Sequence, residues 1–496
     1  MADSLNYKNF FKGKKITVHG LGLLGRGIGD VIFLAQNGAD LVVTDLKTEE
    51  QLAASLAQIK KALKPEVFKK IKFVLGEHRL EDFANKDFIL KSAGVPLNSP
   101  FIAEATKNNI SIKMDASWFA ELAPRDVKII GVTGTRGKST TTHLIHDIVE
   151  AFLKGNPLGA VQGLPLGKAY LGGNVRGLAT LPLLKKVKAG DMVVMELDSW
   201  QLQGFCDSQI SPNISVFTNL MVDHQNYYQN DMNRYFADKA NIYRWQKEGD
   251  YLVAGSEVAK KINPPSHLLR RGEEKIKSQL IIPDTKILPK NWKIKLLGEH
   301  NLLNIAYAVT VARILDIPEK IIKTAVENYA GVPGRLEFLR EVKGVKYYND
   351  TTATTPDGVI AALKALSGRQ GLPFGSSSRG VLGNIILIGG GRDKELDYKK
   401  YAPVVKKSVK VLALFQGTAT DKIIKALGNN KMPARIGLRG GPIKVFDNMP
   451  AAFAWANSFA QKGDIVLLSP GAASFGVFKN EFDRGDQFIQ LVKSMR

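Results

Sequence analysis

The chain has 496 residues, of which 44% are hydrophobic and 23% charged, and its formal net charge is +22. A chain of this length is too long to fold around a single hydrophobic core, so about three domains are predicted. No apolar run approaches the roughly 18 residues of a membrane span. We expect a cytoplasmic, monomeric protein without a signal peptide or membrane insertion, and Cys206 as the single cysteine excludes an intramolecular disulfide.

The first predicted elements form a βαβ unit over residues 14–45, with the strand KITVHG, a glycine-rich turn, the helix VIFLAQNG and the strand ADLVVTD. Gly20 to Gly25 fit the pattern G-x-G-x-x-G, and Asp45 lies where dinucleotide-binding folds carry a ribose-binding acid. The motif indicates close approach of a backbone to a phosphate or polar ligand. On this motif alone, an NAD-linked oxidoreductase and a tight turn without a ligand both remain open.

The alternation restarts at VKIIGVTG, so a domain boundary is predicted near residue 126. The next stretch, TGTRGKS from Thr133 to Ser139, departs from the P-loop pattern G-x-x-x-x-G-K-[ST] only at Val132, which replaces the first glycine. In such a loop, backbone N–H groups and the positive end of the following helix face phosphate oxygens. Lys138 is suited to neutralise phosphates and Ser139 to ligate Mg²⁺, so the stretch predicts ATP or GTP binding.

A third series follows Pro333, with VKYYND, the helix GVIAALKAL, and the strands NIILIGGG, VKVLALF and DIVLLSPG. Alternation of this kind predicts an α/β protein with mostly parallel sheets. The expected domains are a Rossmann-like N-terminal domain (1–126), a central P-loop ATPase-type domain (127–331) and a Rossmann-like C-terminal domain (332–496). The Gly- and Ser-rich stretch from Ser367 to Gly380 predicts a mobile surface loop.

The positive charge raises the question of a nucleic-acid partner, because basic surfaces attract phosphates. Lys and Arg residues are spread along the whole chain and form neither a basic tail nor an aromatic-interleaved strip. We therefore predict a solvated basic surface and no nucleic-acid partner. A nucleic-acid-stimulated P-loop ATPase remains a distant alternative, since a P-loop alone does not identify the phosphate acceptor.

Further motifs follow the P-loop in a fixed order: VVMELDSWQL, TNLMVDHQNYY, RYFADKANIY, GEHNLLN, VPGRLEF, YYNDTTATTPDG, GGGRDK and SPGAASFGVFKNEFDRGD. Together with TGTRGKS this set resembles the Mur ligases, the ATP-dependent amino-acid-adding enzymes of peptidoglycan synthesis, and most of all their D-glutamate-adding branch. The resemblance runs from about residue 14 to 495. The related folylpolyglutamate synthases are an alternative, although the Gly20 to Gly25 turn and the SAGVP stretch favour the Mur branch.

The resemblance implies that the three domains bind a UDP group, ATP and an amino acid, in chain order. It implies ATP and two Mg²⁺ ions as cofactors, and UDP-N-acetylmuramoyl-L-alanine and glutamate as substrates. The γ-phosphoryl group would pass to the alanyl carboxylate, and the glutamate amine would attack the resulting acyl phosphate. ADP and phosphate would be released as the amide forms.

The resemblance also assigns roles to single residues. Catalysis would involve Lys138, Glu196, His224 and Lys239, and the metal ligands would be Ser139, Glu196, His224 and a carbamylated Lys239. ATP would contact Gly134, Thr135, Gly137, Lys138, Ser139, Thr140, Asn301, Arg335 and Asp350; the UDP-sugar would contact Leu23, Leu24, Asp45, Gly94 and Asn174; and glutamate would contact Lys394 and Ser474. A structural histidine, an unmodified exposed lysine and a surface ion pair are the alternative interpretations of His224, Lys239 and Arg335.

Departures from the family pattern concentrate in the amino-acid pocket. Thr352 stands where the D-glutamate enzymes usually carry lysine, and Glu481 stands where an aromatic residue is usual. A carboxylate near a dicarboxylate substrate is repulsive unless it points away or binds the amine. Ser92-Ala-Gly in place of S-P-G is a milder change. Ligation of L-glutamate therefore remains an alternative. A non-catalytic scaffold would be expected to have a damaged P-loop or lost metal ligands, and it is disfavoured because Lys138, Ser139, Glu196 and His224 are all present.

Overall fold

The computed structural model describes residues 7–23, 25–96, 98–155, 167–262, 276–367, 384–428 and 442–495. Leu24 and nearly all of the predicted loop from Ser367 to Gly380 lie outside these ranges. Within the described residues, no helix combines the length and apolarity needed to cross a membrane. The chain divides into two compact units, residues 1–287 with 303–325, and residues 288–302 with 326–496.

The first unit begins with a parallel sheet of order β3-β2-β1-β4-β5 in its described part. The predicted βαβ unit is confirmed, since β1 pairs in parallel with β2 through Lys15↔Asp40 and with β4 through Ile16↔Phe88. Its elements are α1 (Tyr7–Phe11), β1 (Lys15–His19), α2 (Arg26–Gln36), β2 (Asp40–Asp45), α3 (Glu49–Ala62), α4 (Pro65–Phe68), β3 (Lys72–Leu75), β4 (Phe88–Lys91), α5 (Pro100–Lys107), β5 (Ser111–Lys113) and α6 (Asp115–Leu122).

The second sheet of this unit has the order β11-β10-β9-β6-β8-β7, and all its described pairings are parallel. The central strand β6 has the burial pattern expected of a strand covered on both faces, with five of its six residues buried. The elements are β6 (Lys128–Thr133), α7 (Lys138–Gly155), β7 (Ala169–Gly173), β8 (Met192–Glu196), α8 (Ser199–Asp207), β9 (Ile214–Phe217), α9 (Gln225–Tyr228), α10 (Met232–Arg244), β10 (Tyr251–Ala254), α11 (Ser256–Ile262) and β11 (Gln279–Ile281).

The second unit contains a third sheet of order β12-β13-β17-β14-β15-β16, parallel except for the antiparallel edge pair β12–β13. The chain passes between the units three times: after residue 287, within α12 (Glu299–Ile314) and within α13 (Glu319–Asn328). The remaining elements are β12 (Glu337–Val342), β13 (Val345–Asn349), α14 (Pro356–Ser367), β14 (Ile385–Gly390), α15 (Tyr401–Ser408), β15 (Val409–Phe415), α16 (Thr418–Ala426), β16 (Ile443–Phe446), α17 (Met449–Asn457), β17 (Ile465–Leu468) and α18 (Glu481–Ser494).

The three mostly parallel sheets confirm the predicted α/β fold. In all three, the glycine-rich and polar motifs follow the carboxyl ends of strands, where ligands bind in open α/β sheets. The domain boundaries predicted at residues 126 and 331 stay a prediction.

Candidate functional site

The loop between β6 and α7 lies at the carboxyl edge of the second sheet. Thr133 ends the strand and Lys138 begins the helix, so residues 134–137 form the complete connection. The strand lies between β9 and β8, which places the loop beside residues that follow Phe217 and Glu196. The sequence therefore brings a central strand, a short glycine loop and a helix N-terminus together at a position typical of a phosphate site.

Two glycines shape this loop because no side chain fits at either position. Gly134 has φ 142° and Gly137 has φ 85°, both in the region that L-residues avoid. A methyl group on Gly134 would lie 2.0 Å from Thr218 Oγ1, and one on Gly137 would lie 2.2 Å from Asn304 Oδ1. The back of the loop is thus packed directly against the segment that follows β9 and against α12.

Asn219 holds the middle of the loop in place. The backbone N–H of Thr135 donates to the Asn219 carbonyl at 2.9 Å, and that of Arg136 donates to Asn219 Oδ1 at 2.9 Å. Asn219 Nδ2 donates in return to the Arg136 carbonyl at 3.0 Å. These two backbone amides therefore bond to protein rather than facing the front of the loop.

The Lys138 ammonium lies over the loop, and Ser139 contacts a carboxylate. Lys138 Nζ donates to the carbonyls of Gly134 at 3.0 Å and Thr135 at 3.3 Å. Ser139 Oγ donates to Glu196 Oε2, and both side chains are buried. The structure thus brings together two of the predicted metal ligands, one from the helix and one from the end of β8.

Lys239, on α10, contacts the same loop, and its ammonium shares the Gly134 carbonyl with that of Lys138. Its Nζ donates to the Gly134 carbonyl at 3.0 Å and to Thr133 Oγ1 at 3.3 Å, and it lies 4.9 Å from the centre of the Tyr235 ring. The residue is 1% exposed, so the alternative of an exposed surface lysine is wrong. Burial, followed by the charge of Lys138, holds the pKa of Lys239 well below its ordinary value. The amine is consequently favoured in its neutral, nucleophilic form.

His224 precedes the short helix α9 with left-handed backbone angles of φ 52° and ψ 32°. Its ring centre lies 4.7 Å from that of Trp200, and its backbone N–H donates to Asp223 Oδ1 at 2.9 Å. Burial lowers the pKa of His224, with Asp223 acting in the opposite direction. A neutral imidazole keeps a nitrogen lone pair, which ligation of a metal requires.

Asp223 connects His224 to the P-loop. Arg136 donates to Asp223 Oδ2 at 2.8 Å. Burial alone raises the pKa of Asp223, but His224 and Arg136 outweigh it and lower the pKa to about 2. The carboxylate is therefore ionised and fixes the position of the segment that carries His224.

Among the described residues, no group of three or more His, Cys, Asp or Glu side chains is placed to hold a metal ion. The predicted ligand set contains only two residues of these types, Glu196 and His224, because its other members are a serine and a modified lysine. The predicted set therefore does not conflict with this finding. With only these two side chains, a metal ion would need further oxygen ligands, for example from Ser139 or a modified Lys239.

The N-terminal sheet carries a cleft of about 190 Å³ outside the carboxyl ends of β1 and β4. Leu21, Leu23, Arg26, Lys91 and Asp115 are among the residues that line it. This is the place where the strand order reverses, and where open α/β sheets bind ligands. Leu23 lines the cleft while leaving 55% of its surface exposed.

Asp45, at the end of β2, is bonded to the glycine-rich turn. Its Oδ2 accepts from the N–H groups of Leu21 and Gly22 at 3.0 Å each, and its Oδ1 accepts from the Lys47 N–H at 2.9 Å. Burial raises the pKa of Asp45, but these N–H groups and the Lys47 ammonium outweigh it, so the pKa lies below its ordinary value. The structure therefore gives Asp45 a part in shaping the turn, which the sequence did not reveal.

Two other predicted UDP-sugar residues lie on loops of the same unit. Gly94 has φ 84°, with open space where a side chain would be. Asn174 follows β7, and its N–H donates to the carbonyl of Glu196 at 2.6 Å. The predicted sugar contact and the predicted metal ligand thus share one backbone hydrogen bond.

The second unit holds the predicted nucleotide residues Asn301, Arg335 and Asp350. Asn301 Nδ2 donates to the Leu297 carbonyl at 2.8 Å, and Arg335 is exposed. Asp350 Oδ1 accepts from the Leu336 N–H at 3.0 Å. Asp350 Oδ2 accepts from Ser469 Oγ at 2.8 Å, and burial raises the pKa of Asp350 to about 7.

The predicted glutamate residues lie near strand ends of the third sheet. Lys394 Nζ donates to Thr354 Oγ1 at 2.9 Å, and Ser474 is buried. Thr352, at the position where lysine is usual, donates through Oγ1 to the Gly334 carbonyl at 3.0 Å. Its hydroxyl is therefore engaged in a turn of the protein backbone.

Arg484 is a feature that the sequence analysis missed. The guanidinium is completely buried and donates to the Thr351 carbonyl at 2.8 Å and to Thr351 Oγ1 at 3.2 Å. Burial lowers the pKa of Arg484 to about 10, with Glu481 acting in the opposite direction. Arg484 lies in the quoted motif that ends in FDRGD, but the motif does not reveal its role, because its partner Thr351 is distant along the chain.

Three family models match the chain. They are described as the Mur ligase MurD-like N-terminal domain (residues 14–113), the Mur ligase middle domain (132–312) and the Mur ligase, glutamate ligase domain (334–471). The chain is 34% identical to a UDP-N-acetylmuramoylalanine–D-glutamate ligase of Roseiflexus sp. (strain RS-1), over 97% of this chain and 99% of that protein. It is 32% identical to the protein of the same name from Borreliella afzelii, over 97% and 98% of the two chains.

Solved structures support the same fold. The crystal structure of the UDP-N-acetylmuramate–alanine ligase MurC from Thermotoga maritima aligns with a TM-score of 0.56 at 18% identity, over 97% of this chain and 100% of that one. A crystal structure of MurF from Acinetobacter baumannii aligns with a TM-score of 0.53 at 13% identity, over 100% of this chain and 93% of that one. At these identities the likeness concerns the three-domain fold alone.

Proposed function

Because the chain belongs to the Mur ligase family, we propose that it is the ATP-dependent ligase that adds D-glutamate to UDP-N-acetylmuramoyl-L-alanine. The relatives named for this activity match it over nearly their full length. The structural observation that carries the proposal is the glycine loop with Lys138 above it and Ser139 bonded to Glu196. This arrangement suits phosphoryl transfer to a small-molecule acid.

A carboxylate does not condense with an amine in water without activation. Transfer of the γ-phosphoryl group from ATP to the alanyl carboxylate would give an acyl phosphate and ADP. The glutamate amine would then attack the acyl carbon, forming the amide, losing a proton and expelling phosphate. The two anions that meet in the first step require positive charge between them, and Lys138 is placed at the loop to supply part of it.

The residues present fit ATP and magnesium. The loop glycines are packed against neighbouring protein on one side. A ligand would therefore bind the loop on its other side. Ser139 and Glu196 offer two oxygens of the kind that Mg²⁺ prefers, and His224 is proposed as a further ligand. When bound, magnesium offsets the repulsion between the triphosphate and the carboxylate. Participation of two ions is part of the proposal.

We also propose that Lys239 is carbamylated, and the state of its amine supports this. A neutral amine can attack the carbon of CO₂, forming an N–C bond and releasing one proton, which leaves a carbamate anion. The depressed pKa of Lys239 favours the neutral form that this reaction needs. The modification would convert the neutral amine into an anionic group with oxygen ligands beside the loop. The new negative charge would attract the Lys138 ammonium.

The remaining site assignments stay proposals. Leu23, Leu24, Asp45, Gly94 and Asn174 are proposed for the UDP-sugar. Thr135, Thr140, Asn301, Arg335 and Asp350 are proposed for ATP, beside the loop residues already described. Lys394 and Ser474 are proposed for glutamate.

The decisive experiment measures phosphate release by the purified protein with ATP, Mg²⁺, bicarbonate, UDP-N-acetylmuramoyl-L-alanine and D-glutamate, omitting each component in turn. The proposal requires release that depends on both the muramoyl nucleotide and the amino acid, and an amide product identified by mass spectrometry. Release that needs neither substrate, or that DNA or RNA stimulates, would contradict it.

The stereochemistry needs its own test, because Thr352 and Glu481 depart from the pattern of the D-glutamate enzymes. Parallel assays with D- and L-glutamate at equal concentration compare the two kcat/KM values. A higher value for the D-enantiomer supports the proposal as stated. A higher value for the L-enantiomer would keep the ligase chemistry and replace the substrate.

A further inference from the structure

Gln203, on α8, lies at the centre of a polar network that joins the N-terminal sheet to helices of the second sheet. Lys91 Nζ, at the end of β4, donates to Gln203 Oε1 at 2.7 Å. Gln203 Nε2 donates to Asp238 Oδ2 at 2.8 Å and to the Tyr227 hydroxyl at 3.2 Å. The Tyr227 hydroxyl in turn donates to the Val95 carbonyl at 3.0 Å.

Glutamine matches the two ends of this network chemically. An ammonium can only donate hydrogen bonds and an ionised carboxylate can only accept them, so the residue between them needs one acceptor and one donor. The side-chain amide of Gln203 offers both, and its orientation is fixed by Lys91 on one side and Asp238 on the other. Burial lowers the pKa of Lys91, whereas Asp207 and Asp238 raise it.

One end of the network contacts the proposed acceptor-binding region. Lys91 and Ser92 line the cleft at the carboxyl ends of β1 and β4. Val95, which accepts from Tyr227, is the neighbour of Gly94 in the stretch proposed for the UDP-sugar. Movement of this stretch on substrate binding would therefore shift the Tyr227 hydroxyl and, through it, the Gln203 amide.

The other end contacts α10, which carries Lys239, and α9, which begins directly after His224. Asp238 immediately precedes Lys239 on α10, and Tyr228 also donates to Asp238 Oδ2, at 2.9 Å. Tyr227 lies on α9, three residues after His224. Its ring centre lies 5.4 Å from that of Trp200, and the Trp200 ring also contacts His224. The network thus ends within one residue of Lys239 and within one helical turn of His224.

The helix that carries Gln203 is packed closely against α6 of the N-terminal region. A methyl group on Gly204 would lie 2.6 Å from Ser117 Oγ and 2.8 Å from Met114 Cβ, so the two backbones approach closely. Gln203 is therefore held at a fixed place between the two regions that it joins.

We propose that Gln203 is a positioning residue that couples binding of the muramoyl nucleotide at the Ser92–Val95 stretch to the placement of His224 and Lys239. The inference rests on the proposed function and extends it. Loss of the coupling impairs the response to the acceptor and to magnesium, while the P-loop itself, which the network does not contact in these bonds, keeps its affinity for ATP.

The test reverses the polarity of the central bond. Gln203→Glu retains the acceptor for Lys91 but places a carboxylate against Asp238. Combining it with Asp238→Asn restores a donor–acceptor pair, because the asparagine amide can donate to the new carboxylate. Gln209→Glu, an identical exchange at an exposed position just beyond α8, is the matched control.

The measurements are KM for the muramoyl nucleotide, KM for ATP, the magnesium concentration for half-maximal rate, and the melting temperature. For Gln203→Glu we expect about a tenfold rise in the acceptor KM and in the magnesium requirement, with the ATP KM changed by less than about twofold. The double variant should recover most of the loss, and the Gln209→Glu control should match wild type.

A merely structural role predicts a different pattern. A lower melting temperature with acceptor KM, ATP KM and magnesium requirement all unchanged would overturn the inference, as would a double variant no better than Gln203→Glu alone. Failure of the proposed function is separately visible, because wild-type protein would then release no phosphate in response to the muramoyl nucleotide. Wild-type turnover with normal kinetics in Gln203→Glu would refute only the coupling.

Discussion

Replacing Gly137 with alanine tests whether the P-loop is shaped by contact with α12. Gly137 has φ 85°, and the added methyl group would lie 2.2 Å from Asn304 Oδ1. Two costs add: the left-handed backbone, about 1–2 kcal/mol for a residue with Cβ, and overpacking against a buried neighbour, about 1–3 kcal/mol. We therefore expect the free energy of unfolding to fall by about 2–5 kcal/mol.

A second glycine in the same unit separates the two costs. Gly249 has φ 89° but open space where its methyl group would be placed. Gly249→Ala should therefore show only the backbone cost, about 1–2 kcal/mol. The difference between the two variants measures the clash with Asn304. Adding Asn304→Ala to Gly137→Ala should recover part of that difference.

The assays are urea unfolding of each variant and ATP affinity by calorimetry. Gly137→Ala should bind ATP at least about tenfold more weakly, which corresponds to about 1.4 kcal/mol, because the loop must move to accommodate the methyl group. Gly249→Ala should bind ATP as wild type does. Equal destabilisation by the two alanine variants, with unchanged ATP affinity in both, would refute the argument from close packing.

Three further outcomes follow from the site. Because the pKa of Asp350 is raised to about 7, its contribution to stability is complete below about pH 4 and is lost as the pH rises to about 7. Over this range the free energy of unfolding should fall by about 4 kcal/mol in wild type, and Asp350→Asn should remove this fall. Parallel pH profiles of unfolding for the two proteins would contradict the prediction. Lys239→Ala should abolish phosphate release and regain part of it with added short-chain carboxylic acids, whereas Lys138→Ala should not respond to them. Chelating magnesium should stop turnover yet leave the melting temperature of the nucleotide-free protein nearly unchanged, since Ser139 and Glu196 bond directly to each other; a large fall in melting temperature would contradict this.

The sequence predicted the features that depend on residues close together along the chain. The strand, turn and helix around Gly20 and the loop from Thr133 to Ser139 were both predicted correctly, because hydrophobic periodicity and glycine content are local signals. Strands such as β7, with the sequence AYLGG, were not singled out, since two of its five residues are glycine and it carries little strand propensity.

Features that depend on distant partners could not be predicted from one sequence. Thr218 and Asn304 fill the space behind the loop glycines. Asn219 accepts hydrogen bonds from two backbone N–H groups of the loop. Asn219 was part of a recognised motif, but its hydrogen bonds to the loop could not be predicted from the motif. Gln203 had no motif at all, and only the fold places it between Lys91 and Asp238.

The parallel pairing of the second sheet has a consequence for how the protein folds. Ile130 on β6 pairs with Ile214 on β9, so the strand that supports the glycine loop gains that neighbour only after a long intervening segment has formed. Pairings of such high sequence separation are slow to form, because loop-closure entropy is lost before the contacts are gained. On the ribosome, nucleotide binding should consequently appear late, once Asn219 has emerged and closed around Thr135 and Arg136.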